Sequence, residues 1–408
     1  MSMRKIAAAL LSLCTVCTAL TVTGYKAPER LLSAYAETVA SGTCGSGVYW
    51  YYDDGGTLNI VGRGEMTSHP WLSSYQDDMQ KVVVGNGVTS IDKNAFAYCS
   101  RLTEITLPES VTTINYGAFN HSAVRSLTIP SGVTEIPDAM CEWCDGLEEL
   151  ILPDGLTSIG AYSFENCGLL SAVDIPESVT EIGRYAFFKC TGLVSAVIPD
   201  GVKEIADASF HECTSLTSVK LPDGLTGIGE NAFSGCTALE EIALPDTLTS
   251  LGMRAFGECK ALKEIVVPAG VHEIPQKAFY LCSSLSSVTI LDPYCEIYPT
   301  DTICNTLEYF GVIRGYTGST AQEFAQKKGA DFESIGELPY ILGDADGSGL
   351  VTADDASLVL WHYALVSTGV QGVIAEENRS GADLDRDGLI DSRDASGILE
   401  LYAKNSVS

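Results

Sequence analysis

Positive charge is scarce in this chain. Its 408 residues carry 24 Lys and Arg against 53 Asp and Glu, a formal net charge of −29. Such a surface repels nucleic-acid phosphates and anionic lipid headgroups, which leaves metal cations and basic proteins as its natural counter-charges. Histidine is scarcer still: five residues, scattered along the chain, form no catalytic constellation and no zinc site. Long apolar runs are also missing, with one exception at the N-terminus. There Arg4 and Lys5 precede the run Ile6 to Val22, and small residues follow at Ala34-Tyr35-Ala36, the pattern of an export signal over residues 1–36 cleaved after Ala36. The run is marginally short of a membrane span, so no span is expected after cleavage. Leu13 and Val16 stand where a lipoprotein box needs a small residue before Cys14 or Cys17.

What the chain has in abundance is repetition. Pro130, Pro153, Pro176, Pro199, Pro222, Pro245 and Pro268 recur every 23 residues, and Pro108 lies one residue closer. A fixed period of this length marks a solenoid. Apolar residues hold constant offsets from each proline, as in Val179, Ile182, Phe187, Cys190 and Leu193, so stacked units turn them into continuous columns. Before each proline the period is two, as in Val219-Lys220-Leu221, which predicts a short strand. The following run, such as "IGRYAFFKCTGL", is expected to be a turn or short helical piece that carries Phe187 inward.

Cysteine follows the same period. Cys144, Cys167, Cys190, Cys213, Cys236, Cys259 and Cys282 are each 23 residues apart, and Ser122 fills the column in another unit. Equivalent interior sites of this kind predict a packing layer rather than disulfides. Cys141-x-x-Cys144 has no second pair or nearby histidine to complete a zinc site. Tyr98, Trp143, Phe188 and Tyr280 interrupt the consensus one or two residues after the inward position. They are candidate ligand anchors, against the alternative that each ring folds over a neighbouring coil.

Motifs such as "LTEITLPESVTTINYGAF" and "IALPDTLTSLGMRAFGEC" resemble the BspA-type (Treponema pallidum-type) leucine-rich repeats of bacterial surface proteins. The resemblance implies an N-terminal cap over 37–80, about nine repeats over 81–290 and a C-terminal cap over 291–336. Residues 337–342 then read as a linker.

The chain ends by writing one acidic loop twice. In a calcium loop, oxygen ligands come from positions 1, 3, 5, 7, 9 and 12, with glycine at 6. The first copy offers Asp344, Asp346, Ser348, Leu350 through its carbonyl, Thr352 and Asp355, with Gly349 at the turn. The second offers Asp383, Asp385, Asp387, Leu389 through its carbonyl, Asp391 and Asp394, with Gly388 at the turn. Two complete copies predict two bound Ca²⁺ ions. Each loop leads into a similar stretch, "DASLVLWHYA" and "DASGILELYA", whereas "ELPYIL" before the first leaves no entering helix.

This loop-helix duplication over 343–408 resembles a dockerin, the module that plugs cellulosome components into cohesin domains of scaffoldin proteins, and the long spacer resembles ruminococcal versions. The resemblance places cohesin contacts at Ala353, Asp354, Leu360 and Trp361 in the first half and at Ser392, Arg393, Leu399 and Glu400 in the second. The halves therefore differ where contact is expected. The expected fold is an α/β repeat, a β-rich leucine-rich-repeat solenoid followed by a small all-α calcium-binding domain. The expected function is that of a secreted, non-catalytic, cellulosome-associated protein whose repeats hold another protein or a cell surface. An adhesin outside a cellulosome is the alternative reading. A glycoside hydrolase is not expected, because no stretch is left over to house a catalytic domain.

Overall fold

The computed structural model describes residues 38–298 and 311–406; the expected export signal lies outside them. The described residues fall into two compact units. One runs to Arg314 and includes Thr320–Glu333; the other comprises Gly315–Ser319 and the chain from Ser334 onward. The expected C-terminal cap is thus divided, with the end of the exposed strand Asp331–Glu337 grouped with the second unit rather than with the repeats. No helix among the described residues is long and apolar enough to cross a membrane.

The first unit opens with an antiparallel meander, Thr38–Gly45, Val48–Asp53 and Thr57–Gly62, whose third strand pairs in parallel with Lys81–Val84. From there most coils add one parallel rung, for example Ser195–Val197 against Ser218–Lys220 and Glu264–Val267 against Ser287–Ile290, whereas residues 172–174 and 241–243 pass the same position without strand pairing. In each rung the central side chain is buried and its neighbours are exposed, as expected from the two-residue period. A second, two-residue strand follows the proline. Glu204–Ile205, Gly227–Ile228 and Ser250–Leu251 pair in one such ladder, so most coils contribute two strands where one is expected from the sequence.

The segment expected to be a turn or short helical piece is a turn, with no helix in it. Alternate amides explain why. Tyr185, Phe187 and Lys189 donate to Asp207, Ser209 and His211 of the next coil at 2.8–3.0 Å, while Ala186, Phe188 and Cys190 donate back within their own coil at 3.1–3.2 Å. A helix would spend every amide locally and leave the coils unjoined. The alternation requires left-handed backbone at two positions per coil, such as Tyr185 and Lys189 or Ala208 and Glu212, all near φ +55°. The repeat part is therefore a β-and-turn solenoid rather than an α/β one.

Inside, Phe164, Phe187, Phe210, Phe233, Phe256 and Phe279 stack face to face with centroids 5.4–5.9 Å apart. The cap joins the column, since Trp71 stacks on Phe96 and Phe96 on Phe119. Between Phe119 and Phe164 the equivalent residue is Cys141, which is why a Cys-x-x-Cys motif exists here: it is a cysteine in the phenylalanine column beside one in the cysteine column.

The cysteine column is made of buried thiols, with no disulfide at Cys144, Cys167, Cys190, Cys213, Cys236 or Cys259. These thiols do more than fill space. Cys190 donates to the Phe164 carbonyl at 3.1 Å, Cys213 to Phe187 at 3.2 Å and Cys236 to Phe210 at 3.2 Å, each reaching back one coil. Burial pushes the thiols of Cys190 and Cys236 up to about 12, so they stay protonated and keep their donor.

The column beside the phenylalanines is alanine at Ala186, Ala232, Ala255 and Ala278, but serine at Ser163 and Ser209. Both serine hydroxyls are buried with no hydrogen-bond partner among the described residues. Ser209→Ala is therefore expected to raise stability by about 1 kcal/mol. Cys213→Ala, which loses a donor and leaves a small void, is expected to lower it by about 1–2 kcal/mol. Denaturant unfolding measures both, and reductant is expected to leave the wild-type midpoint unchanged.

Candidate functional site

The second unit is built around two helices, α3 (Ala353–Ser367) and α5 (Ser392–Asn405), counted after α1 (Leu72–Tyr75) and α2 (Thr320–Lys328). A short helix, α4 (Arg379–Ala382), precedes the second acidic loop, and none precedes the first. The core is slight: Ala345, Ala356, Val359, Ile374, Ala382, Ile390, Ala395 and Ile398. So little apolar surface leaves the fold dependent on its polar loops.

Each loop is organised by its twelfth residue. Asp355, fully buried, accepts the amides of Ala345 and Asp346 on Oδ1 at 2.9 and 3.1 Å, and the amide of Thr352 on Oδ2 at 2.8 Å. Asp394 repeats the pattern with Leu384, Asp385 and Asp391 at 2.7, 3.2 and 2.8 Å. Gly349 and Gly388 both take φ +84°, and their amides reach Asp344 Oδ2 at 2.7 Å and Asp383 Oδ2 at 2.9 Å. A side chain at such a φ is strained, which accounts for glycine at the sixth position.

The ninth-position residues start the helices. Thr352 Oγ1 accepts the Asp354 amide at 3.2 Å and Asp391 Oδ1 accepts the Arg393 amide at 2.7 Å, each within a capping box. The carboxylates drawn together are Asp344, Asp346 and Asp355 in the first loop and Asp383, Asp385 and Asp387 in the second, each set with oxygens within 4.8 Å of one another. Asp391 and Asp394 fall outside the second cluster. Ser348 lies beside the Leu350 carbonyl, its hydroxyl donating at 3.3 Å, while the side chains of Leu350 and Leu389 point to solvent.

One atom tests whether a cation fits. Asp383 Oδ1 is buried with no hydrogen-bond partner among the described residues, and burial raises this carboxyl above its ordinary range. A desolvated carboxylate oxygen facing two further carboxylates is the environment a hard divalent cation relieves. The donor set, all oxygen, is that of calcium rather than of a soft metal.

The eight residues singled out for partner contact, Ala353, Asp354, Leu360, Trp361, Ser392, Arg393, Leu399 and Glu400, are all exposed. Trp361 is 58% exposed and its counterpart is Glu400, so the two helix faces differ in chemistry as well as sequence.

On the solenoid the four singled-out aromatics divide into two columns. Tyr98 and Trp143 occupy the second left-handed position of their coils, at φ +58°; Phe188 and Tyr280 lie one residue earlier in theirs. None stands alone. Tyr98 stacks on His121 at 4.6 Å and His121 on Trp143 at 5.7 Å, and Phe188 stacks on His211 at 5.1 Å beneath Lys189. Arg254 and Lys277 lie over Tyr280. Sequence reasoning missed His121, His211 and the stacked pair Tyr162 and Tyr185. Writing the coils one beneath another would have aligned them. Tyr98 and Trp143 keep 57% and 42% of their surface exposed.

The BspA type leucine rich repeat region matches residues 73–194 and 180–300 in six copies. The chain belongs to the BspA-type leucine-rich repeat family. Solved structures similar to it include a leucine rich cell surface protein of Faecalibacterium prausnitzii, with 25% identity over 70% of this chain and 96% of that one (TM-score 0.43). Others are a leucine-rich repeat protein of T. pallidum, with 26% identity over 53% and 88% (TM-score 0.37), and one of Bacteroides ovatus, with 22% identity over 73% and 98% (TM-score 0.39). No curated protein matches the chain.

The BspA-type match ends at residue 300, so the account of the C-terminal unit rests on its own geometry. One histidine there is structural. His362 on α3 is buried, accepts the Ile374 amide on Nδ1 at 3.1 Å and lies against Gly372. Burial, aided by Arg379, lowers its pKa below the ordinary 6.5. A depressed histidine contributes stability that is fully present above the unfolded pKa and is lost as pH falls toward the folded one. The C-terminal unit is thus expected to melt at lower temperature at pH 5.5 than at pH 7.5, and His362→Gln to flatten that slope. Thermal unfolding of the full chain across this range measures both.

Proposed function

We propose that this BspA-type protein is an exported, non-catalytic binding protein with two separate attachments: a calcium-dependent dockerin-like module that engages a cohesin domain of a scaffoldin, and a repeat array that holds a protein or cell-surface ligand. The observation that carries the first attachment is the buried, unpartnered Asp383 Oδ1 among clustered carboxylates; the first loop repeats the clustering, with both Asp344 oxygens accepting backbone amides. Calcium supplies the charge that lets these carboxylates close on one another. Asp344, Asp346, Ser348, the Leu350 carbonyl and Asp355 would hold one ion; Asp383, Asp385, Asp387 and the Leu389 carbonyl would hold the other, with Thr352 and Asp391 reached through water. The exposed faces Leu360/Trp361 and Leu399/Glu400 are the partner surfaces.

For the array, the edge-exposed stack of Tyr98, His121 and Trp143 is the favoured contact. The rings cover each other's faces, which leaves their edges for a protein surface rather than a flat platform for a sugar ring. Glu142 and Glu165 lie beside it, and burial raises Glu165 with help from Glu142, which favours a basic partner. Support of polysaccharide breakdown follows only by association with a scaffoldin.

Adding calcium to the chelator-treated chain is expected to increase helical circular dichroism and raise the melting temperature of the C-terminal unit. Identical spectra and melting with calcium and with chelator would remove the metal from this reading. Trp143→Ala is expected to weaken adhesion to bacterial cells at least about tenfold while leaving cohesin capture unchanged. Because the two attachments sit in different units, each is scored without the other.

A further inference from the structure

The two acidic loops are balanced differently. The first brings three carboxylates to its ligand positions, and its eleventh residue, Asp354, is a further exposed carboxylate. The second brings five, and its eleventh residue is Arg393. This arginine keeps 59% of its side chain exposed but does not project freely. Its guanidinium folds back over its own loop: Nη2 donates to Asp387 and, at 3.1 Å, to Asp391 Oδ2, Nε reaches both Asp391 oxygens at 3.2 and 3.3 Å, and Nη1 lies 3.5 Å from Asp385. Asp385 and Asp387 belong to the cluster that would hold the metal.

A carboxylate lone pair that accepts from a guanidinium is not available to a cation. Both groups need the same oxygens, so their binding is linked and opposed. We propose that Arg393 is a built-in counter-ion of the second loop: it holds the excess carboxylates in place before calcium arrives, and it lowers the loop's calcium affinity because the ion must displace it. The displaced guanidinium then faces solvent at one of the eight partner-contact positions, where it matches a carboxylate on the partner. Calcium loading of this loop thereby frees from its own carboxylates a recognition group that the first loop, with Asp354, lacks. The inference rests on the calcium reading above.

The test titrates calcium into the full chain by calorimetry, with melting in chelator as a second readout. Arg393→Gln is expected to tighten one of the two binding steps at least about fivefold and to lower the melting temperature of the C-terminal unit in chelator. Arg393→Lys, which keeps the charge but loses the fork, is expected to fall between Gln and wild type in both. The reciprocal change, Asp354→Arg, is expected to weaken the other step. Calcium affinities in Arg393→Gln equal to wild type would overturn the role of Arg393 and leave calcium binding standing. A wild-type chain that takes up no calcium would overturn both.

Discussion

Everything in the first unit depends on the amides that each coil gives to the next. A 23-residue coil has too little interior to bury its own apolar residues, and it becomes stable only when the neighbouring coil covers them. The alternation of amides at Tyr185 to Cys190, one outward and one inward, joins coils without unwinding the turn. The phenylalanine stack, the thiol-to-carbonyl bonds and the two flanking sheets are all set to the spacing that this ladder dictates. Left-handed backbone at residues as bulky as Tyr185 and Trp143 is tolerated because the ladder on either side leaves the chain no other course.

The second unit solves the opposite problem. It buries few large apolar side chains and carries many carboxylates, and its loops are held by charge and hydrogen bonds beside a small core. Asp355 and Asp394 each gather three backbone amides, which makes the loop and the start of the following helix a single hydrogen-bonded piece. Anything that neutralises the loop carboxylates therefore acts on the helices as well. In the proposed calcium-loaded state, that linkage would carry the charge of the ion to the helices.

How much could be read beforehand depended on the range of the interaction. The acidic loops were legible because ligand spacing, the glycine at the turn and the helix cap all lie within twelve residues of one another. The repeat columns were legible because a constant period carries its own alignment, and the thiols from Cys144 to Cys259 stand unbridged within it. The second strand after each proline was not foreseen, since two residues such as Gly227–Ile228 are too few for a pattern to show. The segment carrying the inward phenylalanine was read as a turn or a short helical piece and is a turn; local spacing could not decide between the two because alternate amides are claimed by another coil. Arg393 was read as a contact residue, and its fold over Asp385, Asp387 and Asp391 depends on side-chain geometry that no spacing encodes.

The cysteine at position 141 divides the aromatic spine. Trp71, Phe96 and Phe119 lie on one side of it and the six phenylalanines from Phe164 to Phe279 on the other. In a linear array each coil feels only its neighbours, so a weakened junction separates cooperative blocks. At Cys141 the ring stack is interrupted but the ladder is not, since Phe119 still donates to Met140 at 2.8 Å and Cys141 to Ser163 at 2.7 Å, so this junction loses one of its ties and keeps the other.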